Sequence, residues 1–180
     1  AIDHAKAVST PDEARRVLTE GELAEGEDIS VRRESSAQRI GEMLYAAVEA
    51  GAHGLSLINT ITSIMGVDPD TLTMTPATGG YGSHGGYCGP AVKPIALNMV
   101  SQIGRAPETA GLPISGIGGV GSWRDALDYI ALGAGNVQVC TAAMTYGFKI
   151  VEEMISGLSN WMDEKGHRTL EDITGRASRN

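Results

Sequence analysis

The chain has 180 residues, 42% hydrophobic and 20% charged, with 22 Asp and Glu against 14 Lys and Arg and a net charge of −8. That balance argues against nucleic acid or an anionic membrane surface as a partner, since both reward clustered Lys and Arg. The longest apolar run, around Ile95 to Val100, is far short of the roughly 18 residues a membrane span needs, and the 24 glycines come with only 7 prolines and no G-x-y repeat, which excludes a collagen or a disordered Pro/Gly tract.

Residues 1–34 carry nine acids and five bases and are much more acidic per residue than the remainder. Within them, Pro11 to Glu25 reads as a polar helix capped by Thr10, and Glu27 to Arg32 as a short strand. A helix opening at Ser35 or Ser36 runs to about Ala50, with Ile40, Met43, Leu44, Ala47 and Val48 at helical spacing and Gly51 ending it. Leu55 to Ile58 is a continuous apolar run, the pattern of a strand buried on both faces. Asn59 to Gly89 reads as a long irregular stretch, the length of a lid or binding loop.

Further along come a helix over Ala91–Gly104, a strand over Leu112–Ser115, a helix over Ser122–Leu132 with Ser122 as cap, and a strand over Asn136–Cys140. The last helix spans about Tyr146 to Lys165, where Ile150, Met154, Leu158 and Met162 recur every four residues. Strands alternating with helices signal parallel βαβ units. The units order as (βα)4 behind a leading helix, with no connection suggesting a hairpin. The expected division is an acidic helical segment over 1–34, an α/β body over 35–166 and a polar tail over 167–180.

The glycines cluster, 15 of the 24 lying between Gly79 and Gly147. In Ile114-Ser-Gly-Ile-Gly-Gly-Val120 a strand runs into Gly118 and Gly119 just before the cap Ser122. In Leu132-Gly-Ala-Gly-Asn-Val-Gln-Val-Cys-Thr-Ala142 a tight turn enters a strand that opens Cys140 and Thr141 onto the next helix. Two successive βα units offering backbone amides at strand C-terminal ends suit a phosphate; the alternative is glycines that serve only tight turns. Asn59 and Thr60, at the end of an apolar strand, offer an amide and a hydroxyl suited to an amide or lactam edge, or else an Asx-turn or helix cap. Gly85-Gly-Tyr-Cys-Gly-Pro90 is a backbone-exposing loop whose Cys88 has no neighbouring positive charge to lower its pKa. Lys93 follows it near a helix start, suited to snorkelling or to a phosphate. Cys88 and Cys140 lie far apart with no CxxC, which excludes a disulfide scaffold and a zinc or iron–sulfur site of the usual spacing. No metal is expected, and the sequence reads as that of a cytoplasmic protein.

Four segments, LSLINT, GGYCGPAVKPIALNMV, LPISGIGGVGSWRDALDYIALGAGNVQVCTAAM and GFKIVEEMISGLSNWMDEKG, together resemble the C-terminal half of the flavin-binding barrel of dihydropyrimidine dehydrogenases, within the wider dihydroorotate dehydrogenase-like family. The resemblance covers about residues 40–176. It implies a TIM (β/α)8-barrel fold, here the C-terminal (βα)4 half, with FMN across the C-terminal mouth. It also implies reduction of the 5,6 double bond of uracil or thymine by electrons from NAD(P)H, delivered through an electron-transfer partner subunit or domain. On these positions Gly89 would meet FMN through its backbone, Ile117, Gly118, Gly119, Cys140 and Thr141 would hold the FMN phosphate, and Asn59 and Thr60 the pyrimidine. The family's flavin-contacting lysine, about 27 residues before the asparagine, falls on Arg32, whose planar fork is no ammonium point charge; the asparagine of the same strand end falls on Ser36. The family's general-acid cysteine belongs to the barrel's first half, so no catalytic residue is expected in this chain. Two other readings stay open: a divergent member or a non-flavin, phosphate-binding barrel enzyme, and an inactive half-barrel binding module. Four parallel strands without closure expose edges, so a homo-oligomer or a completing partner is expected.

Overall fold

The computed structural model describes residues 5–8, 28–31 and 44–179. Ala5–Val8 (β1) and Asp28–Val31 (β2) pair in parallel, with Ala5 opposite Asp28 and Val8 opposite Val31. β2 is the strand expected over Glu27 to Arg32. β1 is a strand not expected from the sequence, although Ala-Lys-Ala-Val alternates with the period of two that a strand needs. The helix expected over Pro11 to Glu25 lies outside the described residues.

Residues 44–49 are helical (α1) and lead into Leu55–Leu57 (β3). The stretch expected to be irregular and without hairpins instead folds into six short strands, all paired antiparallel. They are Ile61–Ser63 (β4), Gly66–Val67 (β5), Met74–Thr75 (β6), Ala77–Thr78 (β7), Tyr81–Gly82 (β8) and Gly85–Tyr87 (β9). β5 pairs with β6, β7 with β8, and β4 closes the excursion against β9. Local chemistry fixes the turns. The Asp68 carboxylate accepts the N–H groups of Asp70 and Thr71, both at 2.9 Å, which holds that carboxyl below its ordinary range. Gly79 and Gly80, at φ 60° and 84°, form a two-residue hairpin turn that needs positive φ at both positions.

Lys93–Arg105 (α2) follows a 3-10 turn over Pro90–Val92, with Pro94 in its first turn as expected. It buries Ala96, Met99, Val100 and Ile103 along one stripe, each large side chain worth about 1.5 to 3 kcal/mol in area removed from water. Thr109, buried beyond its end, donates its hydroxyl to the carbonyls of Ile103 and Ala106, adding a side-chain bond to the backbone N–H that each already accepts. Ile114–Ile117 (β10) lies two residues later than expected. Trp123–Ala131 (α3) is capped by Ser122, whose Oγ accepts the Asp125 N–H at 3.3 Å. Asn136–Gln138 (β11), the short helix Thr141–Tyr146 (α4) and Lys149–Lys165 (α5) complete the order. α5 is the helix expected from about Tyr146 to Lys165; α4 is an additional short helix ahead of it, and Gly147 at φ 75° breaks the path between them.

β3, β10 and β11 form one parallel sheet in the order β11-β10-β3. Among the described residues β2 pairs with β1 and not with this sheet, which corrects the expectation of four consecutive strands side by side. Leu55, Leu57, Ile114 and the ring of Tyr129 sit in the core with Ala96, Val100, Ile103, Ala126, Ile150 and Met154, so α2, α3 and α5 cover one face. β3 is not buried on both faces. Ser56 is exposed, and Gln138 Nε2 donates at 2.8 Å to the hydroxyls of both Ser56 and Ser115, while Ser115 donates in turn to Asn136. The polar tail expected over 167–180 is partly docked: Gly175 and Ala177 donate to the carbonyls of Ile130 and Ala131 at the end of α3, and Ile173 is buried.

Candidate functional site

Each of the three parallel strands hands its chain to a loop at its C-terminal end, and these loops meet. The Ile58 N–H donates to the Ile117 carbonyl at 2.9 Å, so the ends of β3 and β10 stay joined one residue beyond the strand. Asn59 and Thr60 come next, both exposed. The Asn59 Oδ1 accepts the Thr60 N–H at 2.7 Å and its hydroxyl at 3.4 Å, so the side-chain oxygen is held locally while the amide N–H groups donate to nothing among the described residues. Thr60 in turn lies flat against Gly86, where any Cβ would run into its side chain. That contact brings β9 and the Cys88–Gly89 loop to the end of β3.

From there the loop reaches the other two strand ends. Cys88 Sγ lies 3.4 Å from Thr141 Oγ1, joining it to the first turn of α4 beside Cys140. Both cysteines are free and exposed. Gly89 holds φ 83° at the entry to the 3-10 turn. Gly118 and Gly119 hold φ 135° and 69°, and a Cβ on Gly119 would sit 2.7 Å from the Gly89 carbonyl oxygen and 3.0 Å from Pro90 Cα. The two loops therefore touch backbone to backbone, and only glycine permits it. Asn59, Thr60, Gly89, Ile117, Gly118, Gly119, Cys140 and Thr141 all lie along this one rim; Arg32 and Ser36 lie outside the described residues.

Three side chains hold the rim from behind. Tyr129, fully buried, donates its hydroxyl to the Gly118 carbonyl at 2.6 Å, and its ring occupies the space a side chain at Gly116 would need. Burial, then the nearby charges of Asp125 and Asp128, push its ionisation up to about 12. One turn earlier, Asp125 Oδ2 accepts the Gly121 N–H at 3.1 Å and the Ser122 hydroxyl at 2.7 Å. Lys93 pairs with Asp125 through Oδ1 and with Asp128 at 2.7 Å. Burial alone would push the Asp125 carboxyl up; the bonds from Lys93, Ser122 and Gly121 outweigh it and hold the group below its ordinary range. Burial likewise works against the Lys93 ammonium, and its two carboxylate partners raise its pKa in spite of it. Lys93 is thus committed to carboxylates and is not a free phosphate ligand, so an anion on this rim would rely on backbone amides and hydroxyls. The roles of Tyr129 and Asp125 were missed from sequence, although Ser122-Trp-Arg-Asp125 carries the spacing of a capping box.

The comparison with known families decides the affiliation: the dihydroorotate dehydrogenase model matches residues 33–162. The chain belongs to the dihydroorotate dehydrogenase family. Its three parallel strands, each followed by a helix, are a portion of that family's (β/α)8 barrel. It is 43% identical over 139 residues to the NAD-dependent dihydropyrimidine dehydrogenase subunit PreA of Escherichia coli, an alignment covering 77% of this chain and 34% of that protein. It is 37% identical over 141 residues to the chloroplastic dihydropyrimidine dehydrogenase (NADP(+)) of Arabidopsis thaliana, covering 77% of this chain and 33% of that one. The catalytic subunit of dihydroorotate dehydrogenase B (NAD(+)) from Pyrococcus abyssi is 36% identical over 138 residues, covering 77% and 44%. The chain thus spans a third to under half of the length of these curated relatives. The oxidoreductase family and the resemblance read from the four motifs agree. Among the described residues no helix is long and apolar enough to cross a membrane, and no His, Cys, Asp and Glu group could hold a metal ion.

Proposed function

We propose that this chain supplies the C-terminal half of an FMN-dependent site that reduces the 5,6 double bond of uracil or thymine. The observation that carries the reading is the convergence of the Asn59, Gly89, Gly118–Gly119 and Cys140–Thr141 segments on one rim at the C-terminal ends of adjacent parallel strands. The rim fits FMN chemically. A Cβ built on Gly89 would meet nothing within 4 Å among the described residues, and the Thr141 hydroxyl adds a donor. Ile117, Gly118, Gly119, Cys140 and Thr141 hold the phosphate, and Gly89 lies against the flavin. Arg32, at the sequence position of the family's flavin-contacting lysine, would offer bound FMN a positive charge. Bound FMN supplies the hydride chemistry.

Asn59 reads the pyrimidine. Its two N–H donors are open among the described residues, its oxygen is fixed by Thr60, and that fixation orients the amide before the ligand arrives. Thr60, braced on Gly86, keeps Asn59 at the rim. Residues 35–166 form the barrel portion, 1–34 a distinct acidic segment and 167–180 a tail. The general-acid cysteine comes from the part of the barrel that lies outside these 180 residues. Electrons come from NAD(P)H through a partner subunit, as the word "subunit" in the names of the Escherichia coli and Pyrococcus relatives suggests.

The test is the visible spectrum of the purified chain after incubation with FMN and desalting, followed by titration of the flavin-loaded protein with uracil, thymine and dihydroorotate. Retained flavin absorbance, perturbed by uracil or thymine, is the expected result. Asn59→Ala should weaken pyrimidine binding about tenfold or more by removing donors to a desolvated ligand. Absence of bound flavin under saturating FMN overturns the reading. Perturbation by dihydroorotate alone would move the substrate to that of the second group of relatives.

A further inference from the structure

We propose that α3 is the template for the Ile117–Ser122 loop, with Tyr129 and Asp125 as positioning residues that divide its amides and leave the Gly119 N–H turned outward for an anion. The inference rests on the phosphate reading above and deepens it.

The argument begins with one peptide plane. The Gly118–Gly119 peptide is trans, so its carbonyl and its N–H point in opposite directions. Tyr129, at zero exposure, draws the Gly118 carbonyl toward the core with a hydrogen bond of 2.6 Å. The Gly119 N–H on the same plane is thereby turned away from the core, and it donates to no group among the described residues. Two residues on, the opposite arrangement holds. The Gly121 N–H is taken by Asp125 Oδ2, which also takes the Ser122 hydroxyl.

Positions 125 and 129 lie one turn apart on α3 and face the same way. One helix face therefore sets both flanks of the loop. It consumes the Gly121 donor and frees the Gly119 donor. Lys93 offsets the Asp125 charge, so the carboxylate can act as a strut close to an anion with its repulsion partly cancelled. The Gly89 and Pro90 backbone, packed against Gly119, prevents the loop from rolling about this hinge.

The test compares FMN with riboflavin, which lacks only the phosphate, on the whole 180-residue chain. The wild type should bind FMN at least tenfold more tightly. Tyr129→Phe keeps the ring that fills the space over Gly116 and removes only the hydroxyl. It should narrow the FMN-to-riboflavin ratio roughly threefold to tenfold, the range for losing one such hydrogen bond, with riboflavin affinity unchanged. A wild type that discriminates while the variant keeps the full ratio overturns the template and leaves the phosphate site standing. A wild type with equal affinity for the two flavins overturns both. An independent measurement needs no variant: titrating the wild type with inorganic phosphate, the Gly119 amide resonance should shift strongly and that of Gly121 little. The reverse order, or no shift at either, refutes the division.

Discussion

Gly119→Ala tests the backbone contact on which the rim depends. Gly119 holds φ 69°, and a Cβ there would stand 2.7 Å from the Gly89 carbonyl oxygen, 2.9 Å from Lys93 Cβ and 3.0 Å from Pro90 Cα. None of the three is the far end of a flexible side chain, so the Gly89–Pro90 backbone must retreat. A left-handed residue with a Cβ costs about 1 to 2 kcal/mol, and forcing packed atoms apart adds about 1 to 3 kcal/mol. The total, roughly 2 to 5 kcal/mol, is a large part of the roughly 5 to 15 kcal/mol that holds a typical domain together. At about 2 to 4 °C per kcal/mol for a chain of this size, Tm should fall by roughly 4 to 20 °C. Gly166→Ala is the control. Gly166, which caps α5 at φ 73°, has nothing within 4 Å of a Cβ, so only the conformational cost of about 1 kcal/mol applies. Thermal melts followed by far-ultraviolet circular dichroism read both. Equal, small losses for the two variants would refute the claim that the two loops press backbone to backbone.

An alkaline titration of tyrosinate absorbance should show a component with a midpoint of about 12, absent from Tyr129→Phe, because burial and then the Asp125 and Asp128 charges oppose its ionisation. Asp125 titrates below its ordinary 3.8 in the fold, so its stabilisation is present above that pH and is lost as pH falls through the lowered value. Urea midpoints should therefore place Asp125→Asn below the wild type at neutral pH, with a gap that narrows on acidification; a gap constant with pH argues against it. Gly157→Ala would push a Cβ into the Trp123 ring, so α5 must shift from α3 at a cost of about 1 to 3 kcal/mol. That exceeds the gain of up to about 1 kcal/mol in helix propensity, and a stabilised variant would show that the helices separate freely.

Much of this architecture was legible because it rests on local rules. Ser122 before Trp123 is a cap by chemistry, and the stripe Ile150, Met154, Leu158, Met162 faces the body in graded burial. The glycine groups were legible as loops, and the structure brings them to one rim. What escaped depends on contacts between distant residues. The hairpins of residues 61–87 have strands of two or three residues, too short for a period, although Gly79-Gly80 is itself a hairpin signal. The Tyr129 hydroxyl could not be assigned from sequence, because a tyrosine on the apolar stripe of a helix reads as core until its hydrogen-bond partner is seen. Ser56 was hidden between Leu55 and Leu57 in a run that looked uniformly apolar. Lys93 was ambiguous for a similar reason, since its partners Asp125 and Asp128 lie on another helix.

The Ser56–Gln138–Ser115–Asn136 ladder has a consequence for the rim above it. Gln138 reaches from β11 across β10 to β3, so one side chain spans all three strands. A slide of any strand by two residues would keep its apolar face inward and satisfy the core, yet it would tear this polar row apart. The row thus acts as a spirit level. It fixes how far each strand rises, and with it the height at which Asn59, Gly118 and Cys140 emerge, so that three separate loops arrive on a common plane.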